Sequence, residues 1–299
     1  MPVALGDYER IYAYTSVYGE GSCQHSPVSM ISLAEKYGDS VCEKDGFLFT
    51  IRSNLCDDRY RVYLAPMGGG DPAEAFRQIL DDAAAHGKLV RYITLTERQA
   101  GLLQQAFPGR FDYTEERDLA EYLYRAERMA TFEGGDLRKR RAEIHTFRNQ
   151  FGERAVISRI SPEDFEACLR YEDKWLEDNL ETHDADTLRR DARMISFQMA
   201  HFDELHLSGV ILRIDGTVRG FCYGTNLGNT YDVIVEKADR QIPHSYKVLR
   251  LESTRRCAQG CEWVNMEEDL GLPGLRALKN AYRPERLLNK YIVTEREIG

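Results

Sequence analysis

The stretch YDVIVEKAD, residues 231–239, is the part of the sequence that best predicts the fold. It alternates like a half-buried β-strand, so that Asp232, Ile234 and Glu236 share one face. The next predicted strand leads into NMEEDLG, residues 265–271. Acidic groups at the ends of neighbouring strands in an open α/β sheet suggest a binding site, because ligands bind at such edges. Acidic residues at these positions could also serve only to cap helices and to form surface ion pairs. The binding-site interpretation and this structural interpretation therefore both remain open.

The second half of the chain continues this pattern in both directions. Asp215-Gly216 predicts a two-residue hairpin turn, and Ser161-Pro162 predicts the start of a helix. The predicted strands are 155–160, 208–214, 218–225, 230–236, 262–265 and 288–294, and the predicted helices begin near 161 and cover 187–202, 245–259 and 272–282.

The first half shows the same order of elements as the end of the second half. Strands are predicted at 46–52, 60–65, 89–95 and 110–113, with helices at 72–86 and 97–107. The economical interpretation is two copies of one mixed α/β fold, each with a strand pair splayed near its middle. We therefore expect domains at 1–133 and 153–299, joined by a helix within 134–152.

Composition narrows the class of protein. The chain has 299 residues, of which 42% are hydrophobic and 30% charged, as is typical of a folded soluble protein. No run is long and apolar enough to span a membrane, and the first residues lack the features of a signal peptide, so a cytoplasmic location is expected. Seven cysteines without a regular framework fit a reducing compartment. Cys257 and Cys261 have no partner ligands in sequence, so no metal is expected.

The segment 134–152 predicts a helix with a strongly basic side. Asp136 is the predicted N-cap and Gly152 the predicted stop. One face is apolar, and the adjacent stripe is basic, which suits phosphate. The apolar residues are Leu137, Ile144, Phe147 and Phe151, and the basic residues are Arg138, Arg141, His145 and Arg148. A solvated face that offsets the net charge of −9 is the alternative interpretation.

Several motifs in a shared order resemble a known family. They are Tyr122-Leu123-Tyr124, the run 134–141 with Phe147, Glu236-Lys237-Ala238-Asp239, the run 267–271, Gly274-Leu275-Arg276, Lys279, Tyr282, Pro284 and Lys290-Tyr291. With them the chain resembles tandem-GNAT proteins similar to the cytosolic C-terminal domain of phosphatidylglycerol lysyltransferases. The resemblance implies an α/β mixed-sheet fold with two tandem GNAT-like acyltransferase domains. It also implies transfer of an aminoacyl group from aminoacyl-tRNA to an acceptor such as a lipid headgroup hydroxyl.

Two departures from the family pattern affect the partners. The lysyltransferases carry a transmembrane half that this sequence lacks, so a small-molecule acceptor stands beside the lipid headgroup. The glycine-rich pyrophosphate loop of GNAT enzymes is also missing after residue 236, where the chain reads ADRQIPHS from 238 to 245. No cofactor is therefore expected, and acyl-coenzyme A is possible but not favoured as donor.

Acyl transfer needs a base, groups that stabilise the oxyanion, and an acid for the leaving group. Glu236, at a strand end, is the preferred base, with Glu267 and Glu268 as further catalytic candidates or as ligands for a donor ammonium. Tyr282 or Tyr246 would be the acid. The other predicted substrate-binding residues are Asp232, Lys237, Asp269, Arg276 and Lys279.

The carboxylates of Glu236, Glu267, Glu268 and Asp269 are expected to converge on one pocket at the edge of the second sheet. Pairing of the same carboxylates with Arg276 and Lys279, merely to hold the last helix, is the structural alternative. A coenzyme A-dependent acetyltransferase and a non-catalytic binding module remain the alternative functions.

Overall fold

The structure is a computed structural model that describes residues 1–179 and 184–297. The chain forms two compact units, each built from separate segments. The first unit contains Met1–Tyr122, Glu267–Lys279 and Arg286–Gly299, and the second contains Leu123–Met266 and Asn280–Glu285. Both are mixed α/β structures, as predicted.

The regular elements follow one another along the chain in two groups. The first group is α1 Tyr8–Tyr18, α2 Pro27–Ser32, α3 Ala34–Tyr37, β1 Asp39–Lys44, β2 Phe47–Arg52, β3 Tyr60–Tyr63, β4 Met67–Gly68, α4 Pro72–Ala85, β5 Leu89–Thr96, α5 Glu97–Ala106, β6 Phe111–Glu115, β7 Glu121–Arg125 and α6 Ala126–Thr131. The second is α7 Arg138–Phe151, β8 Ala155–Arg159, α8 Phe165–Asn179, α9 Ala185–Ala200, β9 Leu207–Ile214, β10 Thr217–Leu227, β11 Thr230–Ala238, α10 Ser245–Cys257, β12 Trp263–Glu268, α11 Pro273–Asn280, β13 Arg286–Leu288 and β14 Lys290–Glu295.

The first unit has a sheet in the order β1-β2-β3-β5-β14-β6, and β4 pairs with β2. Helices α4 and α5 contribute to its core, where Phe76, Leu80 and Leu103 pack with Tyr92 and Phe111. Both helices start at the residues predicted from the sequence, Pro72 and Glu97. Asp71 accepts a hydrogen bond from the Ala73 amide, and Thr96 with Gln99 forms a capping box.

The last strand corrects the predicted domain organisation. The sequence predicts residues 288–294 as the closing strand of the second domain, yet β14 lies between β5 and β6 of the first unit and is antiparallel to both. The fully buried Val293 joins that unit's core. Pairing on both sides satisfies strand edges that would otherwise stay open. The compact units consequently differ from the continuous ranges 1–133 and 153–299.

The second unit has a sheet in the order β7-β12-β11-β10-β9-β8. Asp215 and Gly216 both have positive φ, 52° and 76°, in the predicted hairpin turn between β9 and β10. The parallel ladder between β11 and β12 covers only Thr230–Asp232 and Trp263–Asn265. The rest of β11 pairs with β10 alone among the described strands, which is the splay that the sequence predicts. In the first unit, by contrast, all of β3 pairs with β5.

Helix α7 confirms most of what the sequence predicts for the basic segment 134–152. Its apolar residues Leu137, Ile144, Phe147 and Phe151 are buried. Gly152 ends the helix with a φ of 51°, and its amide donates to the Arg148 carbonyl. Asp136 is not the N-cap as predicted, because it lies in the 3₁₀ turn Gly135–Leu137 and Leu137 is the N-cap. Both Asp136 carboxylate oxygens accept from Arg128 at 2.7 Å instead. Across the described part of the chain, no helix combines the length and the apolar character that crossing a membrane requires.

Candidate active site

A buried polar cluster in the first unit is built around an ion pair. Lys290 and Glu121 both have fully buried side chains, and Lys290 Nζ lies 2.6 Å from Glu121 Oε1. Lys290 also donates to the Ser22 hydroxyl at 2.5 Å, and that hydroxyl donates to Glu121 at 2.7 Å. The Cys23 backbone amide donates to the second Glu121 oxygen at 3.0 Å. The charges of this pair are thus matched and its polar atoms bonded, as burial requires.

Local backbone structure brings these groups together. Ser22 caps the short 3₁₀ turn Cys23–His25. This turn places the consecutive side chains of Ser22, Cys23 and Gln24 in the cluster. Lys290 is the first residue of β14 and Glu121 the first of β7. Glu268, the last residue of β12, completes the group. The position of β14 in the first sheet is therefore what delivers Lys290 to the cluster.

Glu268 is the member of the cluster best suited to proton transfer. Gln24 Nε2 donates to its Oε1 at 2.7 Å, and the Cys23 thiol donates to the same oxygen at 3.4 Å. Burial, followed by the negative charge of Glu121, raises the pKa of Glu268 above its usual value. The residue as a whole is half-buried. A carboxylate whose pKa is shifted towards neutrality is the normal form of a general base.

The same group has donor atoms that could attract a cation. The thiol of Cys23 and carboxylate oxygens of Glu121 and Glu268 lie within 4.8 Å of one another. The Lys290 ammonium, 2.6 Å from Glu121, already supplies positive charge at this place. The Lys290 ammonium, the Glu121 carboxylate and the Ser22 hydroxyl thus form an ionic network that contains its own positive charge.

Glu236, the predicted base, lies in the second unit. Its carboxylate pairs with the guanidinium of Arg250, whose side chain is 2% exposed. That guanidinium lies 4.5 Å from the ring centre of Tyr282, and Arg140 lies 5.3 Å from the same ring. Burial raises the pKa of the Tyr282 phenol. One oxygen of the Glu236 carboxylate is therefore already bound to Arg250.

Three further predicted residues of the second unit take part in internal contacts. Lys237 Nζ lies 3.2 Å from Glu172 and 3.5 Å from the ring centre of Trp175. Tyr246 accepts a 3.4 Å hydrogen bond from the Trp175 indole. Asp232 is fully buried on β11. Lys237 therefore has an established partner and sits on the opposite strand face from Glu236.

Asp269, Arg276 and Lys279 hold helix α11, which matches the structural alternative to a substrate-binding role. Arg276 donates to both Asp269 oxygens at 2.8 Å, and the Tyr122 hydroxyl donates at 2.5 Å. The bond from Arg276 is the main reason that the pKa of Asp269 lies well below its ordinary value. Lys279 donates to the backbone carbonyl of Glu268. These side chains thereby fix the end of β12 that carries Glu268.

Glu267 adjoins this position with an unusual backbone. Its φ of 54° is in the left-handed region, which is uncommon for a residue other than glycine. Of the four carboxylates that are predicted to converge, Glu267, Glu268 and Asp269 belong to the first unit and Glu236 to the second. Their convergence stays a prediction.

The predicted basic stripe on α7 is exposed, but its members differ in their contacts. Arg141 donates to the backbone carbonyls of Phe132 and Gly134. Arg148 lies 3.5 Å from Glu252. Arg138 and His145 present their side chains to solvent. Arg141 thus stabilises the turn before α7, while Arg138 and His145 are the more accessible members.

Glycines before α4 bear on the coenzyme A alternative. Gly69 and Gly70 lie between β4 and α4, where a phosphate could approach a backbone turn. A Cβ atom on Gly69 would meet the Tyr18 hydroxyl at 2.6 Å, and one on Gly70 would meet the Phe47 ring at 2.7 Å. A Cβ atom at either position would consequently require the Tyr18 or the Phe47 side chain to shift.

The sequence does not single out Ser22, Cys23, Gln24 or Glu121, and it gives Lys290 only as part of a motif. A short 3₁₀ turn has no hydrophobic period that could mark its residues as buried. The only available signal is the polar run SCQH, residues 22–25, directly before the helix start Ser26-Pro27.

The two mixed sheets, with a splayed parallel pair in the second, form a tandem GNAT-like fold. The chain belongs to the family described as phosphatidylglycerol lysyltransferase, C-terminal, whose profile matches residues 17–294. Family and fold together indicate an acyl- or aminoacyltransferase of this C-terminal type.

Three similar proteins illustrate the relationship. A conserved protein of unknown function from Bacteroides thetaiotaomicron is 28% identical with a TM-score of 0.92, covering 99% of both chains. The C-terminal domain of a putative lysylphosphatidylglycerol synthetase from Agrobacterium fabrum is 14% identical with a TM-score of 0.67, covering 97% of this chain and 92% of that one. An uncharacterised protein of Mycoplasmoides gallisepticum is 22% identical over 172 residues, which are 58% of this chain and 55% of that protein. The match thus spans about half the length of this curated relative.

Proposed function

We propose that the protein transfers an aminoacyl group from aminoacyl-tRNA to a hydroxyl or amine acceptor, such as a lipid headgroup, with Glu268 as the general base. The observation that carries this proposal is the state of Glu268. The residue is half-buried, its carboxylate accepts a hydrogen bond from Gln24, and burial together with Glu121 raises its pKa. The family and its lysylphosphatidylglycerol synthetase members support the substrate class.

The proposed reaction is a single displacement at the ester carbonyl. The acceptor oxygen or nitrogen attacks the aminoacyl carbonyl while its proton passes to Glu268. The bond to the tRNA 3′ oxygen then breaks, and the proton returns from Glu268 to this leaving oxygen. Glu268 ends the cycle ionised, so no other reagent is consumed.

Glu121 and Lys290 assist by fixing the charge around the base. Lys290 lies 2.6 Å from Glu121. Glu121 therefore keeps its cationic partner when Glu268 takes up a proton. Lys279, bound to the Glu268 carbonyl, holds the backbone that carries the base. Glu236 is the second candidate base, and its buried contact with Arg250 is the reason that Glu268 is preferred.

For the donor, we propose that the basic side of α7 contacts tRNA phosphates. Arg138 and His145 are exposed and lie on one stripe with Arg141 and Arg148. A protein with a net charge of −9 needs such a local patch to bind a polyanion.

The test is transfer from a panel of tRNAs, each charged with a radiolabelled amino acid. Acceptors would be phosphatidylglycerol vesicles, glycerol and simple amines, and product would be separated from hydrolysed amino acid. Radiolabelled acetyl-coenzyme A in the same assay tests the acetyltransferase alternative. Transfer from charged tRNA supports the proposal, transfer from the thioester alone replaces it, and failure with all donors favours a non-catalytic binding module.

A further inference from the structure

We propose that Arg52, anchored by Asp39, is a positioning residue that fixes the Gln24 amide so that its NH₂ group faces Glu268. The inference rests on the proposed role of Glu268 as base. It adds Gln24, Arg52 and Asp39 of the first unit to the residues that control the reaction, because they act through Glu268.

The contacts form a continuous chain of polar groups, of which Arg52 and Asp39 are buried. Gln24 Nε2 donates to Glu268 Oε1 at 2.7 Å, and Gln24 Oε1 accepts from Arg52 Nη1 at 3.4 Å. Arg52 Nε lies 3.3 Å from Asp39 Oδ1. Arg52 is 3% exposed and Asp39 is 1% exposed. The guanidinium also lies 4.2 Å from the ring centre of Tyr37, so it is held on more than one side.

The chemistry of the end groups determines the amide orientation. A guanidinium can only donate hydrogen bonds, and an ionised carboxylate can only accept them. An amide has one end of each kind, so a single orientation satisfies both Arg52 and Glu268. The reversed amide would set N–H against N–H at Arg52 and oxygen against oxygen at Glu268. Protonation of Glu268 would remove the conflict at the carboxyl end but not the one at Arg52.

Arg52 thus favours the form of Glu268 that can act as a base. The groups around Glu268 act in opposite directions on its pKa. Burial and Glu121 raise it, whereas the Gln24 hydrogen bond and the Lys290 charge lower it. The Cys23 thiol, at 3.4 Å, is a longer polar contact at the same Oε1. Losing the amide donor should therefore move the proton equilibrium of Glu268 to higher pH.

The experiment compares pH profiles of transfer for Gln24→Met and for the double variant Arg52→Met with Asp39→Asn. The second change prevents Asp39 from being left as an unpaired buried charge. The acid limb should move up by about one pH unit in both, with the rate at high pH retained. Arg52→Lys, which keeps a donor, should restore much of the normal profile. Gln78→Met is the matched control, because this glutamine donates to Asp45 at 2.9 Å in the same unit.

A second measurement does not need activity. The carboxyl of Glu268 can be titrated by ¹³C NMR in glutamate-labelled protein, with Glu268→Gln identifying the signal. A shift to higher pH in Gln24→Met and in the double variant supports the inference, even if no transfer is found and the proposed function fails. An unshifted titration, or an unshifted acid limb with a lower plateau, would show that Arg52 and Gln24 serve stability alone and would overturn it. A shift in Gln24→Met without one in the double variant would also overturn it, by showing that Arg52 and Asp39 do not orient the amide.

Discussion

Replacing Lys290 with Met should cause a large loss of stability. The change removes the cationic partner of Glu121 while both side chains are fully buried. Breaking a buried pair by removing one member costs about 3–5 kcal/mol, because the remaining charge is uncompensated. The Ser22 hydroxyl and the Cys23 amide would still donate to Glu121. We therefore expect a loss near the lower end, about 3 kcal/mol.

The assay is urea unfolding followed by circular dichroism, for the wild type and three variants. Lys290→Met combined with Glu121→Gln should recover most of the loss, since neither charge remains. Arg154→Met is the exposed control, because Arg154 and Asp215 are 60% and 55% exposed, and it should cost less than about 1 kcal/mol. The defect of Lys290→Met should also shrink at acid pH as Glu121 takes up a proton. A loss below about 1 kcal/mol would contradict the burial argument, because it would mean that the pair is hydrated or mobile.

Three further predictions concern the charged groups of the structure. Burial lowers the pKa of His25 from 6.5 to about 4. Between these two pH values the unfolded chain binds a proton that the folded chain does not, so the free energy of unfolding should fall as the pH drops from about 6.5 to about 4. Thermal unfolding should show a smaller fall for His25→Gln. Because Arg276 depresses the pKa of Asp269, the stability advantage over Asp269→Asn should be complete above about pH 4 and lost below it, and a constant difference in denaturant titrations would contradict this. Replacing Arg138 and His145 with Ala should weaken tRNA binding and reduce its salt dependence in filter binding, and unchanged binding would favour a merely solvated face.

Elements with strong periodicity are predictable from the sequence. The strand run of the second unit, the hairpin at Asp215-Gly216 and the buried face of α7 all appear as expected, because alternation and helical spacing are local signals. The partner of β14 is not predictable, since strand propensity does not say which sheet a strand joins. Helices α1 to α3 are not predicted either, and α1 has a weak apolar stripe because its buried positions are few: Tyr8, Ile11 and Thr15.

The candidate site shows the same limit. Glu268 is a catalytic candidate on sequence grounds, because it belongs to the acidic run that follows the predicted strand 262–265. Gln24 is not, because its role depends on a contact with Glu268 across 244 residues of the chain, and Glu121 likewise becomes relevant only through its position beside Cys23 and Glu268. Asp269 has the same sequence pattern as Glu268, yet its bidentate contact with Arg276 gives it a structural role. Only side-chain partners distinguish the two carboxylates.

The identity of the base is tested by comparing Glu268→Gln with Glu236→Gln in single-turnover transfer from charged tRNA. Each change removes a proton acceptor and keeps the size of the side chain, and thermal unfolding would confirm that both variants are folded. If Glu268 is the base, its variant should slow transfer by roughly 100-fold or more, while Glu236→Gln changes the rate by less than about tenfold. A roughly 100-fold loss in Glu236→Gln with near-normal transfer in Glu268→Gln would contradict this assignment and return the role of base to Glu236.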